Sequence, residues 1–310
     1  MNKKANDGNI NNYFFAFFFC FFRQKLIKEK SEKVIIYIAI ISFLVHLLLI
    51  AFVELKWIKF DDISGLLKNP MVAIYTPFSF ILLYEAYLLV YYLPKSTTKY
   101  IGKQYEIITL IIIRRIFKDF YKLEFTNDWF ATKEDVVFTL DVVAVLILFY
   151  LIYIFYKTVE VKPNNKISIE VKNFINLKKI IATILVPVFI ILAVYNFSFW
   201  VYENFYLVDQ TEISIKNINK IFFDEFFTVL ILIDVLLLLF SFLHTDRFNH
   251  VIRNSGFIIS TILIKLTFNI EGVLNSIITV VAVLLGVLVL YIHNKYEKLE
   301  NRFLSSEGVV

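Results

Sequence analysis

The chain has one cysteine, Cys20, and only seven glycines in 310 residues. A single thiol excludes an internal disulfide and a cysteine-based metal cluster, so the redox compartment is left unmarked. So little glycine provides no glycine-rich phosphate loop, and no histidine pair stands at zinc-helix spacing. His244, Asp246 and His250 are close in sequence, but in a polar turn such residues are ordinarily solvated rather than metal-bound. Long polar stretches are also missing. The loops between apolar runs reach roughly 20 residues, too short for a soluble receptor, kinase or nuclease domain. No nucleophile stands beside a base, so the reading is of a non-enzyme that needs no cofactor.

What the chain has in excess is apolar surface: 59% hydrophobic and 18% aromatic residues, with a mean hydropathy of +0.70. That exceeds what a soluble domain carries and marks an all-α integral membrane protein. A spanning helix needs about 20 mostly apolar residues. Candidates run over residues 34–57, 71–93, 104–123, 135–156, 180–202, 222–243, 252–268 and 273–296, about eight in all. The third and seventh are interrupted by charge, so six spans plus two re-entrant or interfacial segments is the competing count. Lys and Arg gather on the cytoplasmic side. With a cytoplasmic amino terminus, eight spans put 21 basic residues inside and 8 outside, whereas six give 20 and 12, which favours eight. Both termini are then cytoplasmic, and the plasma (inner) membrane is the expected location. The net charge of +5 falls on cytoplasmic loops, so a membrane surface suffices as partner and no nucleic acid is needed.

The two halves are weakly alike. Val142 to Leu146 recurs as Val280 to Leu284, followed by Tyr153 with Tyr291 and Lys157 with Lys295. Lys33 aligns with Lys179, Glu85 with Asp234, and Thr109 to Arg114 with Ser260 to Lys265. A unit of four crossings returns to its starting side, so its repetition gives two parallel four-helix repeats. The expected organisation is an amino-terminal segment over 1–33, a first repeat over 34–157, a cytoplasmic linker over 158–179, a second repeat over 180–296 and a tail over 297–310.

Ionisable groups at membrane depth are expensive and therefore need a role. Glu85 stands nine residues before Pro94, and Arg114 eleven after Lys103, which puts both about 13 to 17 Å from the cytoplasmic edge. In the second half, Asp234 is ten residues before His244 and Lys265 twelve after Arg253, so the match recurs. The expected charge cluster is Glu85 with Arg114 and Arg115, and Asp234 with Lys265, with Asp141 nearby. His46, inside the first helix, is read either as a proton carrier or as a packed, hydrogen-bonded residue.

An acid on the second helix facing arginines on a later one resembles the four-helix voltage-sensor unit. Here Arg114, Arg115, Lys118 and Lys122 lie on the third helix rather than the fourth, and the second half offers only Lys265. What the resemblance implies is a small polar-centred helical unit, used twice after residue 33.

Tyr13 to Phe22 is an aromatic run too short to span, followed by Arg23, Lys25, Lys28 and Lys30. This fits an interfacial helix whose basic residues meet anionic inner-leaflet headgroups. Its apolar ring also permits docking on the bundle or on a second copy, as a homo-oligomer. Two functions are compatible with these features: a transporter or channel-like protein whose paired charges line a path, and a noncatalytic scaffold or sensor whose pairs are architectural.

Overall fold

The computed structural model describes residues 25–57, 70–94, 96–120, 132–159, 169–206, 218–244, 248–270 and 272–306. The aromatic run, Arg23 and Asp246 lie outside them, as does the His244 side chain. Among the described residues the chain is all helical, with eight α-helices and no strand. They are α1 (Lys25–Glu54), α2 (Tyr75–Tyr92), α3 (Thr97–Asp119), α4 (Lys133–Thr158), α5 (Ile169–Tyr206), α6 (Ile218–His244), α7 (Phe248–Thr267) and α8 (Val273–Ser306), with a short 3-10 turn at Pro70–Ile74.

Local chemistry sets several of these limits. Ser96 begins α3, its side chain accepting from the Lys99 amide. Thr132 begins α4 in the same way, accepting from the Asp135 amide at 3.2 Å. Glu134 and Asp135 in that first turn and Lys157 in the last complement the helix dipole. Helix α5 begins at Ile169, within residues 158–179 that the sequence reads as a linker, and it continues through Pro187.

Among the described residues four helices are long and apolar enough to cross a membrane: Glu29–Glu54 in α1, Lys133–Thr158 in α4, Ile175–Tyr195 in α5 and Val273–Glu300 in α8. Their outward side chains, among them Tyr37, Leu146, Ile191 and Leu288, are exposed and apolar, a surface suited to lipid rather than water. The protein is therefore of the helical membrane type.

Packing follows the chain within each half. Helices α1, α2, α3 and α4 each lie against their neighbour in sequence, as do α5, α6, α7 and α8. The halves meet chiefly where α4 lies on α8, with smaller contacts of α2 on α5 and of α3 on α7 and α8. Asp141 is bonded to Ser276, and the Asn294 amide donates to the Thr158 carbonyl at 2.6 Å. Positions on the two helices thus rise together, and α4 and α8 run parallel. Eight residues of α4 are buried; 138 positions later on α8 the counterparts of Asp141, Ala144, Val145, Leu148, Ile152 and Phe155 are buried too, whereas those of Asp135 and Leu151, Val273 and Val289, are half-buried.

Helix α3 is the most enclosed. Gln104, Tyr105, Ile107, Ile108, Thr109, Ile112 and Arg114 are all buried, although its sequence is the least hydrophobic of the eight helices. A polar helix wrapped by apolar ones is the feature that positions the candidate site.

Candidate functional site

Three groups of polar side chains sit along α3. The first is near the α2–α3 turn. Glu85 of α2 lies 3.8 Å from Lys103, which also bonds Glu106 one turn on. The Tyr156 hydroxyl of α4 donates to Glu106 at 2.5 Å. Gly102 makes room for this tyrosine, since a Cβ there would be 2.7 Å from its oxygen.

The second group joins the two halves. Asp234 of α6 accepts from the Gln104 amide at 3.3 Å, and Gln104 in turn accepts from the Thr261 hydroxyl of α7 at 2.7 Å. Lys178 of α5 donates to the Thr97 hydroxyl at 2.8 Å. Both Lys178 and Asp234 are 8% exposed, and both line a cavity of about 30 Å³ together with Tyr100, Asn254, Leu93 and Phe257. The buried Tyr100 hydroxyl feels the Asp234 charge but closes no hydrogen bond of ordinary geometry with it.

The third group is about 16 Å further along α3, given 1.5 Å per residue from Gln104 to Arg115. Arg115 grips Asp141 of α4 with two parallel bonds of 2.7 Å, from Nε to Oδ2 and from Nη2 to Oδ1. Ser276 of α8 closes the clasp, accepting from Arg115 at 2.8 Å and donating to Asp141. Fork-to-fork geometry of this kind is the strongest form of ion pair. Between the second and third groups, Ile107, Ile108 and Ile112 are buried and belong to the same apolar cluster as Leu148, Ala282 and Val283, which makes an apolar belt. Thr109 inside the belt satisfies itself on the Tyr105 carbonyl.

The pairings expected from depth are replaced by others. Glu85 is seven residues before the end of α2, whereas Arg114 is seventeen after the start of α3. That leaves them about 15 Å apart along the bundle, while Lys103, six residues into α3, is level with Glu85. The error was one of origin. Lys103 marks the start of the apolar window, whereas α3 itself starts at Thr97. Asp234 and Lys265 are likewise offset, ten residues before His244 and seventeen after Phe248, or about 10 Å in level. Lys265 occupies the last turn of α7. The acid-facing-arginine geometry that carried the likeness to a voltage sensor is therefore not formed on Glu85; Arg115 turns to the next helix.

His46 is bonded to Thr76 at 2.6 Å, near the start of α2 and away from the Asp234 group. Sequence reasoning missed Tyr100, Gln104, Lys178 and Ser276. The Ser-Thr-Thr cap at residues 96–98 was the available signal for the first two, because it moves the helix start, brings Tyr100 inside α3 and sets Gln104 two turns into it. A further buried group was also missed: His293 of α8 meets Asn249 at 2.6 Å and Arg253 at 3.2 Å, with Glu297 3.8 Å away.

Compared with models of known protein families, with curated proteins and with solved structures, the chain has no significant match.

Proposed function

We propose that all eight helices cross the bilayer, as two parallel four-helix units related about an axis between α4 and α8, and that the protein moves a small ion or solute along α3. Length supports the crossing: α3 with 23 residues and α7 with 20 reach about 34 and 30 Å, enough for the hydrocarbon core. On α3 Arg114 is buried and Arg115 is bound to Asp141, which lessens the objection that polarity raises. The repeated burial pattern 138 residues apart supports the duplication. On this topology both termini lie on the basic, cytoplasmic side of the plasma membrane. Lys25, Lys28 and Lys30, with Arg23 before them, then meet anionic headgroups of the inner leaflet.

The observation that carries the transport reading is the cavity at Lys178 and Asp234. Two ionisable side chains from different helices line this cavity deep in an apolar bundle, where a path for an ion or polar solute needs polar groups. The apolar belt at Ile107, Ile108 and Ile112 separates this cavity from the Arg115 clasp, as in a closed path. A second reading, a noncatalytic scaffold or sensor, draws on the clasp itself, because Arg115, Asp141 and Ser276 bond one another directly.

Full-length protein reconstituted in liposomes with ion-sensitive dyes tests the choice. The transport reading expects an imposed gradient of a monovalent ion or small solute to discharge, and discharge to be lost in Asp234→Asn but retained in the surface variant Lys295→Gln. No discharge by the wild type, or an unchanged rate in Asp234→Asn, returns the protein to the scaffold reading.

A further inference from the structure

Helices α7 and α8 share a buried polar group that the path along α3 does not use. His293 of α8 is 4% exposed and stands between Asn249 and Arg253 of α7 on one side and Glu297, one turn further along α8, on the other. The hydrogen bonds fix where its proton sits. A guanidinium has donors only, so Nε2 of His293, 3.2 Å from Nη1 of Arg253, must accept. The imidazole is then neutral, with its hydrogen on Nδ1, which donates to the Asn249 side-chain oxygen at 2.6 Å. His293 lies twenty residues, about 30 Å, beyond the start of α8, and Asn249 and Arg253 lie in the first two turns of α7, so the group closes one end of the α7–α8 hairpin.

We infer that His293, Arg253 and Glu297 form a pH-sensitive latch between α7 and α8, shut while His293 is neutral and released when Nε2 takes up a proton from water. That proton occupies the lone pair on which Arg253 rests. Two N–H groups on like charges then face each other, and a bond between the helices turns into repulsion. The new N–H finds its acceptor in the Glu297 carboxylate, whose Oε2 is 3.8 Å from Nε2, so the imidazolium pairs within α8 instead of across to α7. An imidazole makes this exchange between about pH 5 and 8. Arg253 is also bonded through Nε and Nη2 to the Asn254 side-chain oxygen, at 3.3 and 3.2 Å, and Asn254 lines the cavity. Release of Arg253 therefore reaches the cavity wall.

Other charged and titratable groups surround the latch. His250 of α7 is half-buried, its ring centroid 5.3 Å from that of His293. On α8 itself Lys295 rests over the Tyr291 ring, with Lys298 and Arg302 on the turns that follow. From α4 the neighbour is the Thr158 carbonyl, bonded to Asn294, while Lys157 turns to the Tyr153 ring. Lys103 and Glu106 of α3 pair with each other, and Asp234 of α6 is bonded to Gln104.

The latch stands apart from the transport reading, because it titrates whether or not anything crosses. Nuclear magnetic resonance of full-length protein in lipid nanodiscs, with nitrogen-labelled histidine, tests it at about pH 8 and about pH 5. One imidazole is expected as the neutral Nδ1–H form at the higher pH and as imidazolium at the lower, and its signals are expected to be missing in His293→Gln. Spin labels on Ile252→Cys and Tyr296→Cys, both exposed positions, report the latched end in a Cys20→Ser background. Their separation is expected to change by about 1 to 2 Å on acidification, the scale of helix shifts at an interface. A pair on Leu266→Cys and Ile277→Cys, at the other end of the hairpin, is expected to hold its separation. The shift is expected to vanish in His293→Gln, which takes up no proton, and to survive in His250→Gln. A charged or Nε2–H His293 at the higher pH, an unmoved latched pair in the wild type, movement at both ends, the same shift in His293→Gln, or its loss in His250→Gln overturns the latch.

Discussion

Replacing Gly286 with alanine is expected to loosen the bundle at one point. Gly286 of α8 lies under the ring of Tyr105 of α3, and a Cβ added there would be 1.7 Å from the tyrosine oxygen and 2.7 Å from Cζ. Tyr105 has little freedom to move away. It is fully buried, bonded through its hydroxyl to Ser260 at 2.9 Å, and set edge-on against Phe155 with ring centroids 5.2 Å apart. Overpacking of this kind costs about 1 to 3 kcal/mol. If the ring rotates out, it also gives up its hydrogen bond to Ser260, about 1 kcal/mol more. The expected loss is therefore about 2 to 4 kcal/mol, a rise of roughly 30-fold to 1000-fold in the unfolded fraction. Reversible unfolding in mixed micelles, followed by helix content, measures it. Adding Tyr105→Phe removes the closest atom and is expected to recover part of the loss. A change below about 0.5 kcal/mol in Gly286→Ala, the range of a neutral surface substitution, would refute the close packing of α3 on α8.

Two further outcomes follow from the Arg115 clasp and from the topology. Asp141→Leu strands a guanidinium against the bundle and is expected to cost about 3 kcal/mol, the lower part of the range for broken buried pairs, since the Arg115 side chain keeps 26% exposure. The double variant Arg115→Met with Asp141→Leu is expected to unfold closer to the wild type than the single one; equal loss in both would show that the pair itself, not the stranded charge, holds the helices. In a Cys20→Ser background, single cysteines at Asn164 and Ser305 are expected to react with an impermeant label from the same side of the membrane, and reaction from opposite sides would remove the eight-span arrangement.

Hydropathy made the class legible, and cost arguments picked out Asp141, Asp234, Glu85 and Arg115 as residues in need of partners. Who partners whom was not legible, because an apolar window locates where a helix meets lipid and not where the helix begins. The first two turns of α3, residues 97–103, are polar in sequence yet mostly enclosed by protein, so a lipid-based boundary began the helix at Gln104, seven residues late. Seven residues are about 10 Å of rise, enough to assign Glu85 the wrong base. Lys178 was hidden for the same reason, counted as a loop charge although it is buried in α5 nine residues beyond the first helical position. Side-chain caps mark such starts better than apolarity does, and Ser96 and Thr132 both carried that mark.

The parallel seam of α4 on α8 has a consequence for biogenesis. The amino-terminal half meets its principal partner in the last helix of the described chain, so Asp141 enters the membrane well before Ser276 has been synthesised. Until then the inner face of α4 must be shielded by lipid, by the insertion machinery or by a non-native neighbour. Completion of the core is accordingly a late event that closes over more than a hundred residues of sequence, and a ribosome that stops before α8 releases a half-bundle with its arginine clasp unfinished.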